Sequence, residues 1–134
     1  MPSIFDASSL TNLILTRGGK ALDLLRGHCV LDLTLYEVGN ALWRMQRMRT
    51  RLSSADARAL MAVATHVTSR MDLVSLPDLD PQQVLDLGTR EGITFYDAAY
   101  IVCAAKRKLD LVTDDDSLAK VASKQVKVGG SRDL

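Results

Sequence analysis

Residues 94–113 have the sequence TFYDAAYIVCAAKRKLDLVT. Thr94 can cap a helix whose third residue is Asp97, and residues 98–105 are apolar on nearly every side of that helix. After a basic turn, LDLVT at 109–113 predicts a buried strand. A helix that is apolar all round belongs in the interior of a protein. We therefore expect this helix and this strand to lie at the centre of the fold.

The alternation of strands and helices extends over the whole chain. Short apolar runs predict strands at 3–6, 28–31, 71–76, 109–113 and 126–128. Helical spacing and capping residues predict helices over 8–15, 21–26, 34–49, 53–68, 81 to 88 or 92, 94–105 and 117–123. Such alternation favours a three-layer α/β/α fold around a central, mostly parallel sheet of four or five strands. We assign residues 1–128 to one domain and expect residues 129–134 to form a flexible tail.

The composition is that of a globular protein. Of the 134 residues, 47% are hydrophobic and 25% are charged, and the net charge of +1 gives no overall attraction to nucleic acid. The apolar runs are shorter than the roughly 18 residues of a membrane span, and the first residues lack the basic segment of a secretory signal. Cys29 and Cys103 provide neither a disulfide framework nor a zinc motif, so we expect a cytoplasmic protein.

Four acidic residues stand where predicted strands end or predicted helices begin. They are Asp6, Glu37, Asp97 and Asp115. Each one alone is explained as a helix cap that also meets the positive end of the helix dipole. Together at one edge of a parallel sheet they would repel each other unless a cation lay among them. Mg²⁺ or Mn²⁺ prefers such oxygen ligands and assists hydrolysis of phosphate esters.

Four short motifs contain these acids. They are Asp6-Ala-Ser8, Glu37-Val-Gly-Asn40-Ala-Leu42, Phe95-Tyr-Asp97-Ala-Ala99 and Leu111-Val-Thr113-Asp-Asp115. In order and spacing they resemble the PIN-domain ribonucleases, and within these most of all the VapC-type toxins of toxin–antitoxin pairs. The resemblance covers almost the whole chain and implies a PIN-like fold.

The resemblance also implies a function. In that family the equivalents of the four acids form a pocket that depends on Mg²⁺ or Mn²⁺ and cuts RNA. For this chain it implies a metal-dependent endoribonuclease, a small antitoxin as partner and a homodimer. It further implies supporting roles for Ser8, Asn40 and Thr113. Hydrogen bonding to a metal ligand, or plain capping, explains these three residues at least as well as direct binding of the metal. Within the triple 114–116 the pattern selects Asp115, while Asp114 or Asp116 could be solvated or cap the next helix, and whether either also binds metal stays open.

Three arginines are candidates for contact with RNA or with an acidic partner. Arg44, Arg47 and Arg51 recur at three- and four-residue spacing, which predicts one face near the end of the helix that carries Glu37. They could bind phosphates, or they could be a solvated face that favours the helix C-terminus.

Other functions compete with a toxin nuclease. A stand-alone PIN nuclease of RNA processing would have the same four acids, and a PIN fold could act as a scaffold with little activity. The string Asp114-Asp-Asp116-Ser117 resembles the nucleophile motif of haloacid-dehalogenase-like phosphatases, but that motif would follow the first strand. A receiver-like domain would need a lysine beside the acids, and Lys127 matches that position poorly.

Overall fold

Five short strands form one parallel sheet in the computed structural model, which describes residues 2–48 and 51–134. The strands are β1 (Ser3–Phe5), β2 (Cys29–Leu31), β3 (Asp72–Val74), β4 (Asp110–Val112) and β5 (Val128–Gly129). The α-helices in the described residues are α1 (Ala7–Arg17), α2 (Ala21–Leu25), α3 (Thr34–Arg47), α4 (Ser54–Thr68), α5 (Pro81–Glu91), α6 (Phe95–Arg107) and α7 (Asp116–Ala122). The strand order is β3-β2-β1-β4-β5. This confirms the predicted α/β fold.

Helices cover both faces of the sheet because successive strand residues point to opposite sides. On one side, Ile4 and Leu111 pack in a core with residues of α5, α6 and α7. On the other, Phe5 and Val112 pack with residues of α1, α2, α3 and α4. Residues 98–104 of α6 are all buried, as the apolar sequence of this helix predicted. Among the described helices, none is both long and apolar enough to span a bilayer.

The sheet has a switch point next to β1. From β1 the chain continues to β2 and β3 on one side, and it later returns to β4 and β5 on the other side. Ligands of open parallel sheets bind at such a point, beyond the carboxyl ends of the strands. Asp6 directly follows β1 and Thr113 directly follows β4. The topology therefore places two residues of the predicted site at this edge.

The last residues differ from the expected free tail. Gly129 belongs to β5, and Ser131–Asp133 form a turn of 3₁₀ helix. The amide of Ser131 donates to Asp114 Oδ1 at 2.7 Å, and the Arg17 guanidinium donates to the Leu134 carbonyl oxygen at 3.0 Å. The predicted boundary before Gly129 therefore does not mark the end of the packed structure, because Asp114 and Arg17 bind the segment that follows.

Candidate active site

The edge between β1 and β4 brings Asp6 and Thr113 together, although they are 107 residues apart in the chain. Phe5 pairs with Val112 in the parallel register, so the residues that follow them are neighbours. The Asp6 amide donates to the Val112 carbonyl oxygen at 3.2 Å, and Thr113 Oγ1 donates to Asp6 Oδ2 at 2.5 Å. The sheet itself therefore sets the position of the Asp6 carboxylate.

The Asp6 carboxylate is almost completely buried, with 4% of the residue exposed. It caps α1 by accepting from the Ser9 amide at 3.0 Å. The hydroxyls of Ser8 and Ser9 also donate to it, at 2.8 and 2.9 Å. Burial raises the pKa of Asp6, although the hydrogen bonds from Ser9, Thr113 and Ser8 oppose this shift. The carboxylate is therefore held rigidly, and its charge is poorly hydrated.

Glu37 enters the cleft from the first turn of α3. Its Oε1 accepts from the Tyr100 hydroxyl at 2.7 Å. Burial raises the pKa of Glu37, the Tyr100 hydrogen bond lowers it, and the nearby charges of Asp6 and Asp97 raise it further. The spacing of Thr34-Leu-Tyr-Glu37 predicts a capping box, and the structure shows that this prediction is wrong. The Glu37 amide donates to the Leu33 carbonyl oxygen at 3.1 Å, because Thr34 is the first helical residue and its hydroxyl serves other partners.

Asp97 and Asp115 approach the same cleft from two further helices. Asp97 is the third residue of α6, where its amide donates to Thr94 Oγ1 at 3.1 Å. Burial raises the pKa of Asp97, and the charges of Asp115 and Asp6 add to this effect. Asp115 caps α7, since its Oδ1 accepts from the amides of Ser117 and Leu118 at 2.9 and 3.3 Å. Capping and participation in the site therefore coexist at Asp115.

The structure separates the three members of the Asp114–Asp116 triple. Asp114 accepts from Asn12 Nδ2 at 2.7 Å and from Ser131, so it joins α1 to the end of the chain. Partial burial works against ionisation, but these hydrogen bonds outweigh it and lower the pKa of Asp114. Asp116 is exposed in the first turn of α7 and does not line the cleft that contains Asp115. Asp114 and Asp115 both line that cleft, so the choice of Asp115 stays a prediction.

All four predicted acids line one cleft of about 360 Å³. Its other described lining residues are Ala7, Ser8, Thr11, Asn12, Ala41, Arg44, Met45, Tyr100 and Asp114. A groove of about 580 Å³ against α5 and α6 is larger, but Asp80 and Asp86 there are balanced by Arg90 and Lys106. The smaller cleft has the excess of negative charge, so it is the better candidate for a cation site.

Some predicted residues do not reach this cleft. Asn40 is exposed and is not among the residues that line the cleft, whereas Ala41 and Arg44 of the same helix are. Arg47 instead lies over the Trp43 ring, 5.2 Å from its centroid.

The predicted arginine face must also be corrected. Helix α3 ends at Arg47, so Arg51 is not on the same helix face as Arg44. The Met48 amide still donates to the Arg44 carbonyl oxygen at 3.1 Å, which closes the last turn. The predicted helix end at Arg49 lies outside the described residues.

Sequence reasoning missed two side chains of the site. The sequence pattern places Tyr100 only in a central apolar helix, yet its hydroxyl bonds Glu37. Its position three residues after Asp97 is the signal that could have placed it on the same helix face. Asn12 has no motif of its own, and it holds Asp114 at the rim of the cleft.

The donor chemistry of the cleft fits a hard divalent cation. In residues 2–48 and 51–134, no group of three or more His, Cys, Asp or Glu side chains is arranged to hold one ion. Mg²⁺ commonly uses only one or two protein carboxylates and keeps several waters. The pKa values of Glu37 and Asp97 are raised partly by neighbouring carboxylates, and the acids that line the cleft outnumber its cation, Arg44. The residues suit a partly hydrated ion rather than a closed cage of protein ligands.

The chain is similar to several known proteins. A family model described as PIN domain matches residues 4–124. Exonuclease VapC9 of Pyrobaculum aerophilum is 39% identical over 89 residues, which cover 66% of this chain and 62% of VapC9. This match therefore spans less than two thirds of VapC9.

The matches to a second relative and to a solved structure cover a larger share of those proteins than the match to VapC9 does. Ribonuclease VapC3 of the same organism is 28% identical over 125 residues, which cover 90% of this chain and 94% of VapC3. The crystal structure of PAE2754 from Pyrobaculum aerophilum has a TM-score of 0.79 at 30% identity, and the match covers 100% of this chain and 86% of that one. The predicted resemblance is confirmed: the chain belongs to the PIN domain family.

Proposed function

We propose that this protein is a metal-dependent endoribonuclease that hydrolyses RNA phosphodiester bonds. The observation that supports this most strongly is the convergence of Asp6, Glu37, Asp97 and Asp115 on one cleft at the switch point of a parallel sheet. The printed names of VapC9 and VapC3, an exonuclease and a ribonuclease, describe those proteins and support nuclease chemistry here.

Each side chain has a distinct part in this proposal. The four acids would hold Mg²⁺ or Mn²⁺, which when bound acts as a Lewis acid toward the phosphate and lowers the pKa of bound water. Asp6 is oriented by Ser8, Ser9 and Thr113 through hydrogen bonds within the protein. Arg44 is the cation among the described lining residues, and its planar guanidinium suits a phosphate of the RNA backbone.

Cleavage of linear and circular RNA tests this proposal. We expect Mg²⁺ or Mn²⁺ to support cleavage of an end-labelled single strand and opening of a circular RNA, and excess chelator to abolish both. The circle is informative because only an internal cut can open it. Cleavage that persists in chelator would refute metal dependence. If the linear strand is shortened and the circle stays intact, the activity is that of an exonuclease, which is the word in the name of VapC9, and the proposed endonuclease activity is refuted.

A toxin role with a small antitoxin and a homodimer is the finer part of the proposal. Trp43 and Met48 are exposed apolar side chains at the end of α3, which supports a protein partner on this surface. We expect expression of the protein to arrest growth and co-expression of a small protein encoded next to it to restore growth. Harmless expression without such a neighbouring reading frame would instead favour an RNA-processing nuclease or a scaffold.

A further inference from the structure

Glu37 is connected to the central sheet through two buried hydroxyls. Tyr100 Oη lies 2.7 Å from Glu37 Oε1 and 2.7 Å from Thr34 Oγ1. Thr34 Oγ1 in turn accepts from the Leu31 amide at 3.1 Å. Leu31 is the last residue of β2, whereas Thr34 opens α3 and Tyr100 lies on α6. The oxygen atoms Thr34 Oγ1 and Tyr100 Oη thus connect β2, α3 and α6 through hydrogen bonds.

The direction of this chain of hydrogen bonds follows from its ends. The Leu31 amide can only donate, and an ionised Glu37 carboxylate can only accept. Each hydroxyl has one proton, so Tyr100 donates to Glu37, and Thr34 must then donate to Tyr100. The direction is therefore Leu31 amide to Thr34, Thr34 to Tyr100, and Tyr100 to Glu37. Consecutive bonds with one direction strengthen each other in a buried environment.

Burial leaves few substitutes for these partners. Thr34 and Tyr100 have relative exposures of 0% and 1%. Water therefore cannot readily replace either hydroxyl. Without the Tyr100 hydroxyl, Glu37 would lose a donor that fixes one of its two oxygens, and the carboxylate would be free to change rotamer within the cleft.

We propose that Tyr100 is a positioning residue, whose hydroxyl, itself oriented by Thr34, holds Glu37 in the geometry that the cleft needs to bind a divalent cation. Its contribution to cleavage depends on the function proposed above. Its contribution to cation binding can be measured without any cleavage.

The first experiment compares Tyr100→Phe with Tyr96→Phe. Both variants lose one hydroxyl from α6, but Tyr96 is 59% exposed and serves as the matched control. We expect Tyr100→Phe to weaken Mn²⁺ binding, followed by electron paramagnetic resonance, by about 10- to 100-fold, the usual effect of removing a partner of a metal ligand. With RNA as substrate, kcat should fall by a similar factor and KM should change little. Tyr96→Phe should match the wild type in both assays.

The second experiment separates positioning from general damage. In a Glu37→Ala background, Tyr100→Phe should cause no further loss of Mn²⁺ affinity, because its effect passes through Glu37. Thr34→Val should reproduce the loss and Thr34→Ser, which keeps the hydroxyl, should retain affinity. If Tyr100→Phe fails to fold by circular dichroism, the Thr34 pair decides the outcome.

The outcomes distinguish the two proposals. The positioning role is overturned if Tyr100→Phe binds Mn²⁺ as tightly as the wild type. It is also overturned if Tyr100→Phe weakens Mn²⁺ binding as much in the Glu37→Ala background as in the wild type. Both results count even if RNA is cleaved. Absence of Mn²⁺ binding by the wild type overturns it as well. Mn²⁺ binding that responds as expected, without any RNA cleavage, supports the positioning role and refutes the ribonuclease.

Discussion

Replacing Asp97 by asparagine is expected to reduce RNA cleavage by about 10²- to 10³-fold, the range observed when one group that stabilises transition-state charge is removed. The side chain keeps its shape, so the loss reports the missing charge. The same change is expected to stabilise the metal-free protein, since it removes a carboxylate whose pKa is raised first by burial and then by Asp115 and Asp6. Activity and stability should therefore change in opposite directions.

The pH dependence of unfolding tests whether Asp97 destabilises the metal-free protein when it is ionised. The ordinary pKa values are 3.8 for Asp97 and 4.5 for Glu37, and both are raised in the fold. Their stabilising contribution is fully present below these ordinary values and is lost as the pH rises through the raised ones. In urea titrations with chelator, the wild type should lose stability over this window, and Asp97→Asn should lose less.

With metal bound, the wild type should be more stable than Asp97→Asn, the reverse of the order expected in chelator. Ligand at 100 times its Kd stabilises a folded protein by about 2.7 kcal/mol, and Asp97→Asn should gain less than the wild type at the same Mn²⁺ concentration. Asp86→Asn is the control, because it removes an exposed carboxylate from the charge-balanced groove on α5. If Asp97→Asn still cleaves RNA at the wild-type rate, the proposed role of Asp97 in the cleft is refuted.

Replacing Asp6 by alanine is expected to remove both activity and stability. The change takes away the acceptor for the Ser9 amide and for the hydroxyls of Ser8, Ser9 and Thr113. A buried donor without a partner costs about 1–3 kcal/mol, and the Ser9 hydroxyl can still donate to the Val112 carbonyl oxygen. We expect the free energy of unfolding to fall by about 3 kcal/mol or more, a large part of the stability of a single domain.

The variant Asp6→Asn separates the loss of activity from the loss of stability. The amide oxygen can still accept, so the loss of stability should be smaller, while the missing charge should still abolish cleavage. Asp86→Ala, at an exposed position in the middle of α5, should change stability by no more than about 0.5 kcal/mol. If Asp6→Ala unfolds at the same urea concentration as the wild type, the predicted loss of stability is refuted.

The fold was largely predictable because its signals are local. Short apolar runs alternate with capped helices, and the residue that follows β1 or β4 lies at the carboxyl edge of the sheet wherever the remaining chain goes. For this reason the amino-acid sequence alone is enough to place Asp6 and Asp115 at this edge. The apolar sequence of α6 likewise predicted a buried helix.

The details that failed depend on partners distant in sequence. The Thr34-x-x-Glu37 spacing fits a capping box, but the hydroxyl of Thr34 is used by Leu31 and by Tyr100, which is 66 residues away. The prediction for Asn40 rests on a family pattern, whereas Ala41, Arg44 and Met45 are the residues of α3 after Glu37 that line the cleft. Tertiary contacts decide which partners the Thr34 hydroxyl has, and local spacing could not reveal them.

The segment 129–134 shows the same limitation. Two glycines predicted mobility, but a Cβ atom at position 130 would lie 3.1 Å from Asp114 Oδ1. Glycine at this position therefore permits close approach of the backbone to Asp114, which composition alone does not indicate.

The binding of Ser131 by Asp114 has a practical consequence for handling the protein. Asp114 is adjacent to Asp115 in the chain, so an affinity tag or immobilising surface attached after Leu134 would pull on a segment that is bonded directly beside the cleft. The amino end of β1 lies at the edge of the sheet opposite to the cleft. Attachment ahead of β1 is therefore expected to disturb the cleft less than attachment after Leu134.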